Sequence, residues 1–570
     1  MKTVHGYKNE LSHIKYRKLN EMGNKKLKTK NKTEDALWKQ VLIFLITSQT
    51  FLYLALMLFV FPLYYENKYF NMGEAKYHFF IYVSGIFLLI MILELLLYGI
   101  LTVVKTPQEL NGKNYLRNLS GTDKLVLAYL IVTSISFMFA GDKEMAGWGY
   151  TGWYMGLISQ DIFVACYFIL SRFYKRNSWV LPTAVFVSCI TFQIGILQRF
   201  SIDPLQMYQD LSAINIEKFL STIGQTTWYS SYAVLLVPFS FFLFWNAKKV
   251  VGRVLYGIAT ALSFGMLCTT NSDSAYMGFA FILMVFLWFS LENDAKLLRF
   301  LEILLVGLCS FRIVGIMQRL FPEKMIELIT GTEEMSKFVT QSLVMRILLI
   351  VVATIYIMLR IAKRNGLLKA EDTIVSKIKW LRPAMVIVPV VALCVLLLLM
   401  VAVTNRVLPE PLHSLYSIGF LNFDEQWGNQ RGFNWRMAWK AFCSAGFKDK
   451  LVGVGPDCFA VAMNAHCKEE VSAYWGGKVL ACAHCEWLNM LITQGMVGLV
   501  CYIGIFVAAT LRMGKLAYKN AELVPFVAAA LAYMGHNLFC YQQCVCTSIV
   551  FLLLGMGEAY VRWGKKRTET

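Results

Sequence analysis

Three pieces in the C-terminal third of this 570-residue chain bring together residue types that could do chemistry. The first is Arg431-Gly-Phe-Asn-Trp435-Arg436-Met-Ala-Trp439, in which Trp435, Ala438, Trp439 and Phe442 recur at helical spacing. The pattern predicts a helix beginning near Asn434, a favoured N-cap residue. Arg431 then stands just before the first turn, where free amides and the positive helix end favour an anion. Guanidinium and helix together could grip a diphosphate. Arg436, five residues on, would face about 140° away on a continuous helix, so one arginine suits direct contact better than two. The plain alternative is that both are surface cations of an amphipathic loop helix.

The second piece, Gly453-Val-Gly455-Pro456-Asp457, reads as a turn after that helix, and it suits a tight loop better than a ligand cradle. The third is Ala483-His484-Cys485-Glu486-Trp487-Leu488, which runs into an apolar stretch containing Gly495-Met-Val-Gly498. A histidine at such a water–lipid boundary, with an ordinary pKa of ~6.5, is placed to act as a general base, and Glu486 could orient it or bind sugar. It could equally be a bland interfacial histidine. Fourteen cysteines leave two further readings of the same region. Cys467, Cys482 and Cys485 with His466 and His484 offer a zinc tetrahedron, and a loop disulfide would suit an extracytoplasmic compartment.

The elements that must position these pieces are membrane helices. Apolar residues make up 57% of the chain and charged residues 16%, with a mean hydropathy of +0.52, which excludes a soluble protein. Runs near 37–61, 77–104, 124–140, 153–171, 178–198, 226–245, 250–270, 272–291, 297–317, 342–360, 382–404, 487–511, 523–540 and 546–562 approach the ~20 residues a span needs. An all-α polytopic fold of about fourteen transmembrane helices follows. If the basic N-terminus is cytoplasmic, 37 of the 55 Lys and Arg fall inside and 16 outside, as the positive-inside rule requires. The net charge of +19 therefore belongs to the membrane surface and its anionic lipids, not to nucleic acid. The chain divides into a cytoplasmic basic tail (1–36), eleven spans (37–404), a large extracytoplasmic loop (405–486), three more spans (487–562) and a short cytoplasmic tail (563–570). About 37 polar, basic residues precede the first run without a cleavage pattern, so the first span is expected to remain as an anchor. No phosphate-cradling Gly-rich run ending in Lys-Ser/Thr, no His-Glu-x-x-His and no Asp-x-Asp pair is present, so cytosolic nucleotide-driven catalysis is not expected.

Taken in order, Arg-x-x-x-Trp, Gly-x-Gly and a histidine before a Gly-containing span resemble the O-antigen ligase and polymerase-like membrane glycosyltransferases. Ser221-Thr-Ile-Gly224-Gln225-Thr-Thr-Trp228-Tyr-Ser-Ser231, Asn271-Ser-Asp273-Ser274 and His536-Asn-Leu-Phe-Cys-Tyr-Gln542-Gln543 look like the branch common in Gram-positive bacteria. The resemblance covers roughly residues 37–565. It implies a bacterial inner-membrane enzyme with its site under the large outer loop, a glycan donor on undecaprenyl diphosphate, and no metal, nucleotide or other cofactor. His484 matches the family's catalytic histidine, and Arg431 the arginine before the loop helix. Arg436, Arg199, Trp435, Glu486 and Asp273 are the expected substrate-binding residues. One departure stands out: where ligases carry an arginine at the outer end of a central span, this chain has Asn271-Ser272-Asp273-Ser274, so Arg199, Arg436 or another outer arginine is expected to supply any second cation. The acceptor would be a glycan, a lipid or a protein hydroxyl.

A transporter of polysaccharide or lipid-linked oligosaccharide is the alternative from a different class. Ionisable residues in or near spans, Glu94, Asp161, Glu302, Arg312, Arg346 and His536, are its support. A flippase should show repeat symmetry and short loops, and the sequence shows neither.

Overall fold

The computed structural model describes residues 37–107, 118–326, 328, 330–365 and 374–569; the basic tail expected over 1–36 lies outside the described residues. The chain is 77% helical, and among the described residues its one sheet is a two-residue antiparallel pair, Phe219–Leu220 with Gly224–Gln225. Eleven helices are long and apolar enough to cross a membrane. This is an all-α, multi-pass membrane protein. Three of the fourteen expected spans, Leu157–Phe173, Ser274–Ser290 and Val524–His536, form helices of 17, 17 and 13 residues, shorter than a full crossing at 1.5 Å per residue.

Lipid and protein contacts sort the helices by depth. Thr226–Asn246 and Cys544–Gly564 are buried over 89% and 100% of their most apolar stretches, whereas Leu343–Arg364 and Leu381–Thr404 are buried over only 6%. Around the central pair, Cys544–Glu569 packs on Leu157–Phe173, and Val524–His536 packs on both Ser274–Ser290 and Thr226–Asn246. The shorter helices thus lie in the middle, where protein rather than lipid covers their ends.

Three carboxylates inside the bundle are paired with arginines and gathered at one end. Asp123, at the start of helix Gly121–Phe139, accepts hydrogen bonds from Tyr167 (2.9 Å), Arg172 (3.0 Å) and Arg562. Glu302 accepts from Arg299 (2.7 Å), Tyr356 (2.7 Å), Arg360 (2.8 Å) and Arg253 (3.1 Å), and Glu558 holds Arg512 in a two-pronged pair. A buried carboxylate in a membrane bundle is tolerated when cations and donors surround it in this way. At this same end, Trp38 packs on Tyr98 and the last long helix leaves the bundle. The 405–486 connection sits at the opposite end.

The apolar run expected as one span over 487–511 is broken. A short helix, Glu486–Thr493, ends at Gln494, and a separate span runs from Gly495 to Ala517. The break comes from a crossing of backbones: Gly495 has φ +69° and Gly453 φ +79°. A Cβ on Gly453 would strike the Thr493 carbonyl, and one on Gly495 the Leu451 carbonyl. The Val454 N–H donates to Ile492 O (3.2 Å) and the Gly455 N–H to Thr493 O (3.0 Å). The Gly-x-Gly run is therefore a strip of chain pressed against the end of the short helix, as a tight loop rather than a ligand cradle. Gly453→Ala and Gly495→Ala are each expected to destabilise the protein by roughly 2 kcal/mol or more, from a left-handed backbone costing about 1–2 kcal/mol plus the clash. Gly446→Ala, in open space at ordinary φ, should stay within about 0.5 kcal/mol. Thermal melts in detergent compare the three.

Candidate active site

The loop begins as an extension of helix Leu381–Thr404. Thr404 Oγ1 accepts the Phe423 N–H (2.9 Å), and Trp427 Nε1 donates to Phe420 O (2.8 Å). Gly428, Asn429 and Gln430 then adopt left-handed backbone (φ 60°, 59° and 68°) inside the segment Trp427–Ser444, so its regular helix starts at Arg431. This corrects the start expected near Asn434. Asn434 caps nothing; it is buried and accepts a hydrogen bond from Trp475 Nε1 (3.3 Å).

Arg431 consequently stands in the first helical turn. Its guanidinium donates to Gly428 O (2.6 Å) and Phe539 O (3.1 Å), lies 5.9 Å above the Phe539 ring, and keeps Nε without a partner. One turn on, Trp435 stacks on the same Phe539 (6.0 Å) and packs at a tilt against Trp427 (5.4 Å). Arg436 points elsewhere. It is exposed, paired with Glu425, and lines an open apolar groove of about 450 Å³ with Phe423, Trp439, Lys440 and Leu488.

His484 approaches from the other side of the loop. It has φ 51° and packs edge to face on Tyr541 at 5.2 Å, whose hydroxyl donates to Gln225 Oε1 (2.9 Å). Burial, and then the charge of Arg431, lower its pKa to about 4, so the imidazole is neutral at pH 7 and able to accept a proton. Arg431 and His484 thus lie within each other's field, and Asp273 also acts on Arg431. Asp273 is exposed at the head of helix Ser274–Ser290 and accepts from Thr332 Oγ1 (2.8 Å).

Glu486 does not reach the His484 ring. Its carboxylate turns into the bundle and accepts from Tyr533 (3.1 Å) and from the Asn537 amide, while its N–H donates to Asn537 O (3.0 Å). Burial pushes its pKa up to about 7, against the donors that lower it. Asn537 Oδ1 in turn lies 2.8 Å from His536 Nδ1. Because that amide gives its N–H to Glu486, its oxygen accepts from Nδ1, which leaves His536 Nε2 to accept from Ser230 or Ser274, each 3.0 Å away. Arg199 is also apart from the His484 pair. It is fully buried, and donates to Thr269 O (2.8 Å) and Glu217 O (3.2 Å), fastening the chain that leads to Asp273.

Asp457, in the Gly-Pro-Asp turn, accepts the N–H groups of Tyr150 (2.7 Å) and Met155 (3.0 Å), and burial raises its pKa to about 7. It shares a polar cavity of about 20 Å³ with Glu486, Asn489, Gln494 and Gln542. All fourteen cysteines are free thiols, so no loop disulfide forms. Among the described residues no three His, Cys, Asp or Glu side chains converge as metal ligands. Tyr533 escaped the sequence reading, and Asn537 and Tyr541 entered it only within the His536–Gln543 stretch, with no role of their own. No family model and no curated protein matches this chain.

Glu486 therefore acts on His484 by holding its chain segment. Glu486→Gln keeps an acceptor for Asn537 and should keep most activity and stability. Glu486→Ala strands two buried donors at about 1–3 kcal/mol each, and should lower both the melting temperature and turnover in parallel.

Proposed function

We propose that this chain is a membrane glycosyltransferase of the O-antigen ligase and polymerase-like kind. It moves a glycan from undecaprenyl diphosphate to an acceptor hydroxyl, in the making of a bacterial surface polysaccharide. The observation that carries this reading is that Arg431, in the first turn of the loop helix, rests on Phe539 while the neutral imidazole of His484 rests on Tyr541, two residues along the same strip of chain. Cleavage of the bond between the anomeric carbon and the diphosphate releases a leaving group that needs no proton. Two tasks remain. Arg431 and the helix start offset the diphosphate charge, and His484 takes the acceptor proton as the new glycosidic bond forms. Single displacement inverts the anomeric centre. In this reading the loop faces the outside of the inner membrane and both termini face the cytoplasm. The basic loops and the arginine pairs at the end opposite the site support that orientation.

An in vitro transfer assay with a lipid-diphosphate donor tests the assignment. His484→Ala should lower turnover by ~10²–10⁴ with donor binding retained, and wild-type turnover in that variant would remove His484 from the mechanism. Arg431→Lys should lose much of the activity, since a point charge cannot reproduce the planar fork, and Arg431→Ala should lose nearly all. Full activity in the Lys variant would mean that positive charge alone suffices.

The lowered His484 pKa sets a pH signature. Protonation disables the base, so the acid limb of kcat/KM belongs near pH 4 rather than 6.5. Between those values the unfolded chain binds more protons at His484 than the folded one, and this residue's contribution to stability rises with pH. A bound diphosphate offsets the Arg431 charge and raises the imidazole's basicity. The acid limb of kcat should therefore lie above that of kcat/KM. Arg431→Gln should move the kcat/KM limb up as well, to a value still under 6.5 because burial is the larger cause.

A further inference from the structure

We propose that Trp153, on the turn from Tyr150 to Met155, is the platform on which the accepting sugar ring lies. The inference rests on the glycosyltransferase reading above and names the place of its second substrate. The turn is tightly made: Gly149 and Gly152 have φ 98° and 94°, Tyr154 has φ 55°, and the Trp153 N–H donates to Tyr150 O (2.9 Å). It is also held from outside itself, because Asp457 of the large loop takes the N–H groups at both ends. Tyr154 adds a stacked contact with Tyr77 at 4.2 Å.

That construction aims one ring. Trp153 meets Tyr541 edge to face at 4.4 Å, and Tyr541, itself 2% exposed, carries His484 on another contact at 5.2 Å. Trp153 is therefore one ring removed from the base. It is half-buried beside the exposed Thr151 and Gly152, and its Nε1 makes no hydrogen bond among the described residues. A pyranose presents a face of C–H bonds that packs on an aromatic ring, with hydroxyls at its edge for a donor such as an indole N–H. A tryptophan serving only as an interfacial anchor turns its ring toward lipid headgroups; this one turns toward the wall of the site.

The test uses the full-length protein in nanodiscs, a saturating undecaprenyl-diphosphate repeat-unit donor, and the methyl glycoside of the same repeat as acceptor, which cannot act as donor. Trp153→Ala is expected to raise the acceptor KM by roughly tenfold or more, with the donor KM unmoved, and Trp153→Phe to recover most of the loss. Thr151→Arg, which crowds the open edge of the ring from an exposed position, should raise the acceptor KM without loss of folded protein. An unchanged acceptor KM in Trp153→Ala and Thr151→Arg overturns the platform, and a lowered melting temperature with unchanged KM marks Trp153 as an anchor. If the unmutated protein transfers nothing, the glycosyltransferase reading falls. Saturation-transfer NMR with the methyl glycoside then still decides the platform: signal with the unmutated protein that Trp153→Ala abolishes supports it, and absence of signal from both overturns it.

Discussion

A carboxylate buried against two donors of a neighbouring helix, Glu486 on Tyr533 and Asn537, fixes where the rest of the candidate site falls. Tyr533 and Asn537 are four residues apart at the end of helix Val524–His536 and so share one face. A buried ion left alone costs several kcal/mol, so the segment His484-Cys485-Glu486 has one place to rest. Once it rests there, the histidine falls on Tyr541, and Phe539 receives both Arg431 and Trp435. Six residues, Asn537 to Gln542, thereby serve as floor for two parts of a loop that are more than fifty residues apart in sequence.

Polar atoms in the bundle divide into two kinds. At one end arginines answer Asp123, Glu302 and Glu558, and charge meets charge directly. At the other, Glu486, Asn537, His536, Ser230, Ser272 and Ser274 form a run of neutral donors and acceptors ending on one acid. The first arrangement locks helix ends together where headgroups and water are near. Near the second, the imidazole of His484 is held neutral by burial first and by the charge of Arg431 second.

Helices and their order were legible because lipid demands long apolar runs, and no soluble fold competes with that pattern. Nothing in the periodicity of either segment says that Arg431 and His484 come to rest on one strip of chain, Phe539 to Tyr541. The start of the loop helix was misread because Asn429 and Gln430 take left-handed backbone, which a sequence announces reliably only with glycine. The break before Gly495 was hidden by hydropathy that stays high across it, although Gly453 and Gly495 were both visible as residues without a Cβ. Arg199 looked like a substrate cation because it ends a span beside a polar loop. Its guanidinium donates to two carbonyls of its own chain and keeps Nη1 buried without a partner, an arrangement only tertiary structure can show.

Helix Leu381–Thr404 is buried over only 6% of its apolar stretch, so most of its surface faces away from the rest of the protein. Yet it is the stem of the loop, tied through Thr404 to Phe423 and from there through Trp427 to the turn that launches Arg431. The roof of the candidate site is thus hung from one of the two helices that the rest of the protein covers least.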